Sequence, residues 1–410
     1  MSTHVVIVGA GLAGLRTAER LRRGGYDGVL TLIGTEAHPP YDRPPLSKAL
    51  LGAEQTPDLP ALRNSDRLAE LDLDLRTGVT ATGLDPRAHR VRLDDGSELA
   101  YDQLVLATGL TARAFPQWQG IEGVHVLRSF DDCLALRASA ANARHATVIG
   151  AGVLGSEIAA TLRGRGAEVD LVDALPQPLH RVAGDEVGAF IADLHRSHGV
   201  SLHLGRTVAE LATDEGRVRE VRLDDGTRVR TDLVVVAVGA SPVTDWLESS
   251  GVHLDAGVVV DDRGATSAPD VWAVGDVAAV PNPRGDGTIR IEHWTAAGDL
   301  AATVATNVLA ALGTGEPRAH AEIPYMWTDQ YDVKLQCLGL PCASDERVLL
   351  TGSPESGAFL LAFVDDGHVK AVVGAGMPAA LMRCRAAVTK SWPVTELREA
   401  APWERRKATA

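Results

Sequence analysis

Short apolar runs that end at glycine recur along the chain. Val5–Val8 runs into Gly9, Leu30–Ile33 runs into Gly34, LVLATG spans Leu104–Gly109 and VVVAVG spans Val234–Gly239. Such runs read as buried strands of a parallel sheet. After the first run, Leu15, Ala18 and Leu21 recur at helical spacing. The pattern therefore predicts strand, glycine turn, helix and strand in that order.

The unit occurs twice. HVVIVGAGLAGLRTAERL near the N-terminus is matched by HATVIGAGVLGSEIAATL, with Gly150 in the place of Gly9. The strand LTLIG ends beside Glu36, and its counterpart VDLV ends at Asp173. VRLDDG follows in both copies, at Val91–Gly96 and Val221–Gly226. Asp-Gly between alternating runs signals a hairpin, so each copy predicts a small antiparallel excursion without chemistry of its own. Beyond the second copy, VWAV ends in Gly275 and Asp276, and IRIEHW leads into a long alanine-rich helix. From about Ala319 a separate α/β unit is expected, with strands at Phe359–Val364 and Lys370–Gly374.

Each repeat carries the chemistry of a dinucleotide site. Gly9, Gly11 and Gly14, and again Gly150, Gly152 and Gly155, have G-x-G-x-x-G spacing between a strand and a helix. The first glycine allows a tight turn, the second lets a pyrophosphate approach the backbone, and the third lets helix and strand pack closely. The helix N-terminus offers unpaired N–H groups and a partial positive charge. An acid follows the third glycine by 22 residues in one copy (Gly14 to Glu36) and by 18 in the other (Gly155 to Asp173), placed to accept from an adenosine ribose. Two dinucleotide sites in one chain suggest electrons passing from a nicotinamide to a flavin.

Composition narrows the class. The 410 residues exceed one ordinary core, and 45% hydrophobic with 23% charged residues is usual for a soluble globular chain. Apolar stretches stay short of a membrane span, and MSTHVVIVGAG has neither the basic segment nor the cleavage site of a signal peptide. Cys133, Cys337, Cys342 and Cys384 are too few for a disulfide framework, and a reducing, cytoplasmic setting is expected. The formal net charge of −14 argues against nucleic acid. Against that acidity, Arg383, Arg385, Lys390, Arg398, Arg405, Arg406 and Lys407 outnumber Glu396, Glu399 and Glu404 near the C-terminus. That excess reads either as a solvated tail or as a face for an acidic partner.

The order of motifs is G-x-G-x-x-G, PPYDRPPLSK, LATG, G-x-G-x-x-G-x-E, AVGD and YMWTDQY. It resembles the FAD-dependent, NADH-using ferredoxin reductases of bacterial oxygenase systems, the putidaredoxin reductase-like family, over essentially the whole chain. The most specific pieces are PPLSK (Pro44–Lys48) and WTDQYDVKLQ (Trp327–Gln336). The resemblance implies an α/β fold of glutathione-reductase type: two Rossmann-like dinucleotide-binding domains and a C-terminal α/β domain. Residues 1–108 and 240–318 would bind FAD, residues 109–239 would bind NADH, and residues 319–410 would form the third domain.

The same resemblance assigns residues. Gly9, Gly11, Ala13 and Gly14 match the FAD pyrophosphate loop, and Glu36, with Thr35 as the alternative, the FAD ribose contact. Ala81 falls where the family contacts adenine. Arg43 and Arg128 match basic positions near the cofactor, with surface arginine as the alternative. Asp276 resembles the aspartate that holds the ribityl chain, and Trp294 and Trp327 fall at the flavin end. Lys48 matches the lysine beside the flavin, and Glu157 the acid that holds it. For NADH, Gly150, Gly152 and Gly155 match the pyrophosphate turn, Asp173 the ribose contact, Arg181 a nearby contact, and Gly239 a bordering strand end. NADH is preferred over NADPH because the stretch DALPQPLHR opens with an acid and has no arginine before Arg181.

The partner the resemblance implies is an iron–sulfur ferredoxin of [2Fe-2S] type, with Arg63 and the basic C-terminal residues as docking candidates. The paired redox cysteines of disulfide reductases are missing near PPLSK; Cys337 and Cys342 read as structural thiols. His195, His198 and His203 are not expected to converge on a metal. Two other functions stay open: an NADH oxidase or peroxidase of the same fold, and a flavoprotein whose redox state switches an interaction.

Overall fold

The computed structural model describes residues 3–404, apart from the side chains of Arg181 and Ala183. Arg405, Arg406 and Lys407 of the basic tail lie outside the described residues. The chain divides into two compact units: residues 1–42, 59–111 and 241–324, and residues 43–58, 112–240 and 325–410.

The first unit is built on a five-stranded parallel sheet. Its order is Val271–Ala273, Gln103–Leu106, His4–Val8, Val29–Gly34 and Asp74–Thr77. Val5, Val6 and Ile7 of the central strand are fully buried. Each such side chain contributes about 1.5–3 kcal/mol by leaving water. The helix Leu12–Arg23 covers the sheet with Leu15, Ala18 and Leu21, the residues whose spacing predicted it. The alanine-rich helix Trp294–Ala311 packs against it.

The second unit repeats this plan. Its parallel sheet runs Ser201–Leu204, Glu168–Asp173, His145–Ile149, Leu233–Val236 and Val124–His125. The helix Val153–Gly164 follows the second glycine turn. A second layer is the antiparallel sheet Tyr325–Gln330, Val333–Gly339, His368–Ala375, Ala358–Asp365 and Glu346–Ser353. Two of these strands contain the predicted Phe359–Val364 and Lys370–Gly374.

Both VRLDDG segments form the middle strand and turn of a three-stranded antiparallel sheet. The two turns are built alike. Asp95 accepts from the Ser97 N–H at 2.8 Å, and Asp225 accepts from the Thr227 N–H at 2.9 Å.

The segment 43–58, which the sequence reading joins to the first domain, groups with the second unit. Its anchors explain this. Thr161 donates to the Ser47 carbonyl at 2.7 Å, Arg165 to the Leu51 carbonyl at 2.9 Å, and Arg137 to the Ala53 carbonyl at 2.8 Å.

Candidate active site

In the first unit, the turn after His4–Val8 is fixed by the protein packing on itself. Gly9 has φ 121°, and a Cβ there would lie 2.0 Å from the Ala107 carbonyl oxygen. A Cβ on Gly14 would lie 2.0 Å from the Gly9 carbonyl oxygen. Gly11 is different. Its φ of −90° suits any residue, and a Cβ there would meet nothing within 4 Å. It caps the helix Leu12–Arg23 without a side-chain bond, and no acid occupies the first turn. The space that a side chain would fill lies at a helix N-terminus open to an anion, so these residues fit a pyrophosphate.

The other residues predicted for this unit have the following settings. A Cβ on Gly275 would lie 2.7 Å from Ala13 Cβ and 3.8 Å from Ala297 Cβ. Asp276 is therefore carried against the glycine turn, next to the start of the helix Trp294–Ala311. His293 caps that helix; its Nδ1 is buried without a hydrogen-bond partner, and burial pushes its pKa down to about 4. Trp294 donates its indole N–H to Asp42 at 2.7 Å. Glu36 accepts from the Tyr41 hydroxyl. Ala81 is buried at the start of the strand Ala81–Asp85. Arg63 pairs with Glu19 at 2.6 Å.

The second unit reproduces the turn. Gly150 has φ 104°, and its Cβ would lie 2.3 Å from the Ala237 carbonyl oxygen; a Cβ on Gly155 would lie 1.8 Å from the Gly150 carbonyl oxygen. A Cβ on Gly152 would again meet nothing within 4 Å. Asp173 is engaged by the protein's own backbone. Its carboxylate accepts from the Ala151 N–H at 2.5 Å and from the Leu175 N–H at 2.7 Å, bracing the glycine turn itself. The Gly239 carbonyl accepts from the Arg113 N–H at 3.0 Å. Arg43 donates to the Arg128 carbonyl at 2.6 Å, so these two predicted residues meet. The side chain of Arg181 lies outside the described residues.

The same unit brings Lys48 and Glu157 together. Lys48 Nζ donates to Glu157 Oε2 at 2.7 Å and to the Pro44 carbonyl at 3.2 Å. Glu157 is only 4% exposed, so its charge needs compensation on both oxygens. Ser47 Oγ donates to Oε2 at 2.6 Å, and Thr328 Oγ1 donates to Oε1 at 2.7 Å. Neither hydroxyl was singled out from sequence. Ser47 lies inside PPLSK, and Thr328 shares the buried face of an alternating strand with Met326 and Gln330; those were the available signals. Trp327, on the other face, stacks on Tyr325 with centroids 6.0 Å apart, and Lys334 Nζ lies 5.8 Å from its ring centre.

The remaining candidates have structural settings. Burial pushes the Cys337 thiol up to about 12, while Cys342 is exposed and its sulfur accepts from the Ser344 hydroxyl at 3.3 Å. Such a raised thiol is a poor nucleophile. His195 and His198 both contact Tyr331, whereas His203 bonds Asp170 at 2.8 Å. Among the described residues no helix is long and apolar enough to cross a membrane.

Two open glycine turns and a held lysine fit the class of oxidoreductases that bind two nucleotides. Residues 3–301 match the pyridine nucleotide-disulphide oxidoreductase family model, and residues 325–405 match the reductase C-terminal model. The chain belongs to the pyridine nucleotide-disulphide oxidoreductase family.

Within it, the chain is 37% identical to the ferredoxin reductase component of chlorobenzene dioxygenase from Cupriavidus sp. (strain PS12), covering 95% of this chain and 94% of that one. It is 34% identical to putidaredoxin reductase CamA of Pseudomonas putida, covering 95% and 93%. The crystal structure of the covalent putidaredoxin reductase–putidaredoxin complex superposes with a TM-score of 0.89 at 34% identity, covering 95% of this chain and 94% of that one.

Proposed function

We propose that this protein is an FAD-dependent NADH:ferredoxin reductase that supplies an oxygenase through a [2Fe-2S] ferredoxin in a reducing cytoplasm. Bound FAD supplies the chemistry of hydride acceptance and single-electron release. The observation that carries the reading is the pair of open positions at Gly11 and Gly152, together with the Lys48–Glu157 pair. Relatives along nearly the whole chain are named as ferredoxin reductases of oxygenase systems, which supports the same partner.

In this reading Gly9, Gly11, Ala13 and Gly14 receive the FAD pyrophosphate, Glu36 the ribose, Ala81 the adenine and Asp276 the ribityl chain. Arg43, Arg128, Trp294 and Trp327 border the cofactor. Lys48 supplies a cation to the flavin end, and Glu157 fixes it in place. Gly150, Gly152 and Gly155 receive the NADH pyrophosphate, with Asp173, Arg181 and Gly239 around the nucleotide. The Asp173 carboxylate disfavours the 2′-phosphate of NADPH by like-charge repulsion. Arg63 and the basic C-terminal residues offer positive charge to an acidic ferredoxin.

The test is ferredoxin-dependent cytochrome c reduction with NADH and with NADPH. The reading expects ferredoxin dependence and preference for NADH. Oxygen consumption unaffected by ferredoxin would favour an oxidase instead.

A further inference from the structure

We propose that Tyr331, His195, Gln330 and Thr328 form a one-way hydrogen-bond chain, every donor pointing toward Glu157, that positions the carboxylate holding Lys48. The functional part of this inference rests on the flavin-reductase reading; the direction of the chain does not.

The direction follows from what each group can donate. The Glu157 carboxylate only accepts, and Oε2 is already taken by Ser47 and Lys48. Thr328 must therefore give its hydroxyl proton to Oε1, at 2.7 Å. Its oxygen then accepts from Gln330 Nε2, at 3.4 Å. That orientation turns the Gln330 Oε1 acceptor the other way. In the next turn of chain, Tyr331 Oη lies 2.9 Å from His195 Nδ1.

Two atoms close the argument. Gln330 Oε1 and His195 Nε2 are both buried and both lack a hydrogen-bond partner. Interior polar atoms are rarely left unpaired. An Nε2–H on His195 donating to Gln330 Oε1 satisfies both, and it leaves Nδ1 to accept from Tyr331. The titration of the ring agrees. Burial pushes His195 down to about 4, so the ring is neutral, while Gln330 pulls in the opposite direction, as an acceptor facing a ring N–H does. Burial pushes Tyr331 up to about 12, so its hydroxyl keeps its proton and can donate.

The chain is almost entirely interior: Thr328 and Gln330 are 1% exposed and His195 is fully buried. Aligned hydrogen bonds in such surroundings strengthen one another. The charged and titratable groups facing it are Lys48 at the Glu157 end and His198 and Arg163 at the Tyr331 end. His198 is exposed and stacks on the Tyr331 ring at 3.7 Å.

Two measurements test the proposal. In 15N-histidine-labelled protein, the ring nitrogen shifts of His195, assigned with His195→Gln, report its tautomer. The neutral Nε2–H form at neutral pH is expected; an Nδ1–H or doubly protonated ring overturns the direction of the chain.

Separately, Thr328→Val is expected to slow flavin reduction by NADH about tenfold, the loss of one bond to a charged group, with the KM for NADH unchanged. Thr328→Ser, which keeps the hydroxyl, should restore the rate. A wild-type rate in Thr328→Val, or equal slowing in Thr328→Ser, overturns the positioning role. If NADH does not reduce the wild-type flavin, the flavin-reductase reading fails, and the tautomer still decides the chain's direction.

Discussion

Lys48 Nζ lies 2.7 Å from Glu157 Oε2, joining a short segment before residue 50 to the helix Val153–Gly164. The two partners are unequally protected: the lysine side chain is 22% exposed and that of the glutamate 5%. Removing Lys48 therefore strands the more deeply buried charge. Lys48→Met is expected to cost about 3 kcal/mol of stability, and Glu157→Leu about 2 kcal/mol, because Lys48 can turn toward water while the buried Ser47 and Thr328 hydroxyls lose their acceptor. Denaturant unfolding of the two variants checks the order. Both should also slow flavin reduction by NADH, and the double variant should recover stability without recovering rate.

The glycine turns give a sharper contrast. Gly11→Val and Gly152→Val place a Cβ in open space, with nothing beyond the adjoining chain within 4 Å. Both variants should fold with melting temperatures near wild type. Gly11→Val should purify without FAD, whereas Gly152→Val should keep FAD and lose reduction by NADH. Gly9→Ala collides with backbone at 2.0 Å and should instead fail to fold stably. Flavin absorbance and thermal melting together separate these outcomes.

Stability should fall on mild acidification. His195 and His293 are both held down to about 4 by burial, against an ordinary value of 6.5. Between those values the unfolded chain binds protons that the folded chain does not, so stability is full above about 6.5 and is lost as pH falls toward 4. His195, fully buried, contributes at most about 3 kcal/mol across that window. Thermal melts from neutral to acidic pH should show the slope, and His195→Gln should flatten it.

Much of this architecture is written locally. The glycine spacing, the following helix and the acid at the next strand's end lie within one stretch of chain, and the repeated VRLDDG aligns the two copies. Sequence alone left the C-terminal sheet incomplete. Tyr325–Gln330 and Val333–Gly339 carry polar residues on buried faces, which blurs the alternation that marks a strand. Thr328 and Gln330 are such residues, and their partners lie far away in sequence. Lys48 and Glu157 could be paired only through resemblance, since no local pattern spans their separation of 109 positions. The bracing of Ala151 by Asp173 was hidden for a different reason: a carboxylate at a strand end can face a ribose or the turn, and only geometry shows the second role.

The central claim is that this chain moves electrons from NADH through FAD to a ferredoxin. Anaerobic rapid mixing with NADH and a [2Fe-2S] ferredoxin tests it most directly, with flavin and ferredoxin absorbance followed together. The account predicts flavin bleaching on NADH addition, then reduction of two ferredoxin molecules per NADH. Flavin that stays oxidised with NADH, or reduced flavin that leaves every ferredoxin untouched and yields its electrons only to oxygen, would contradict it.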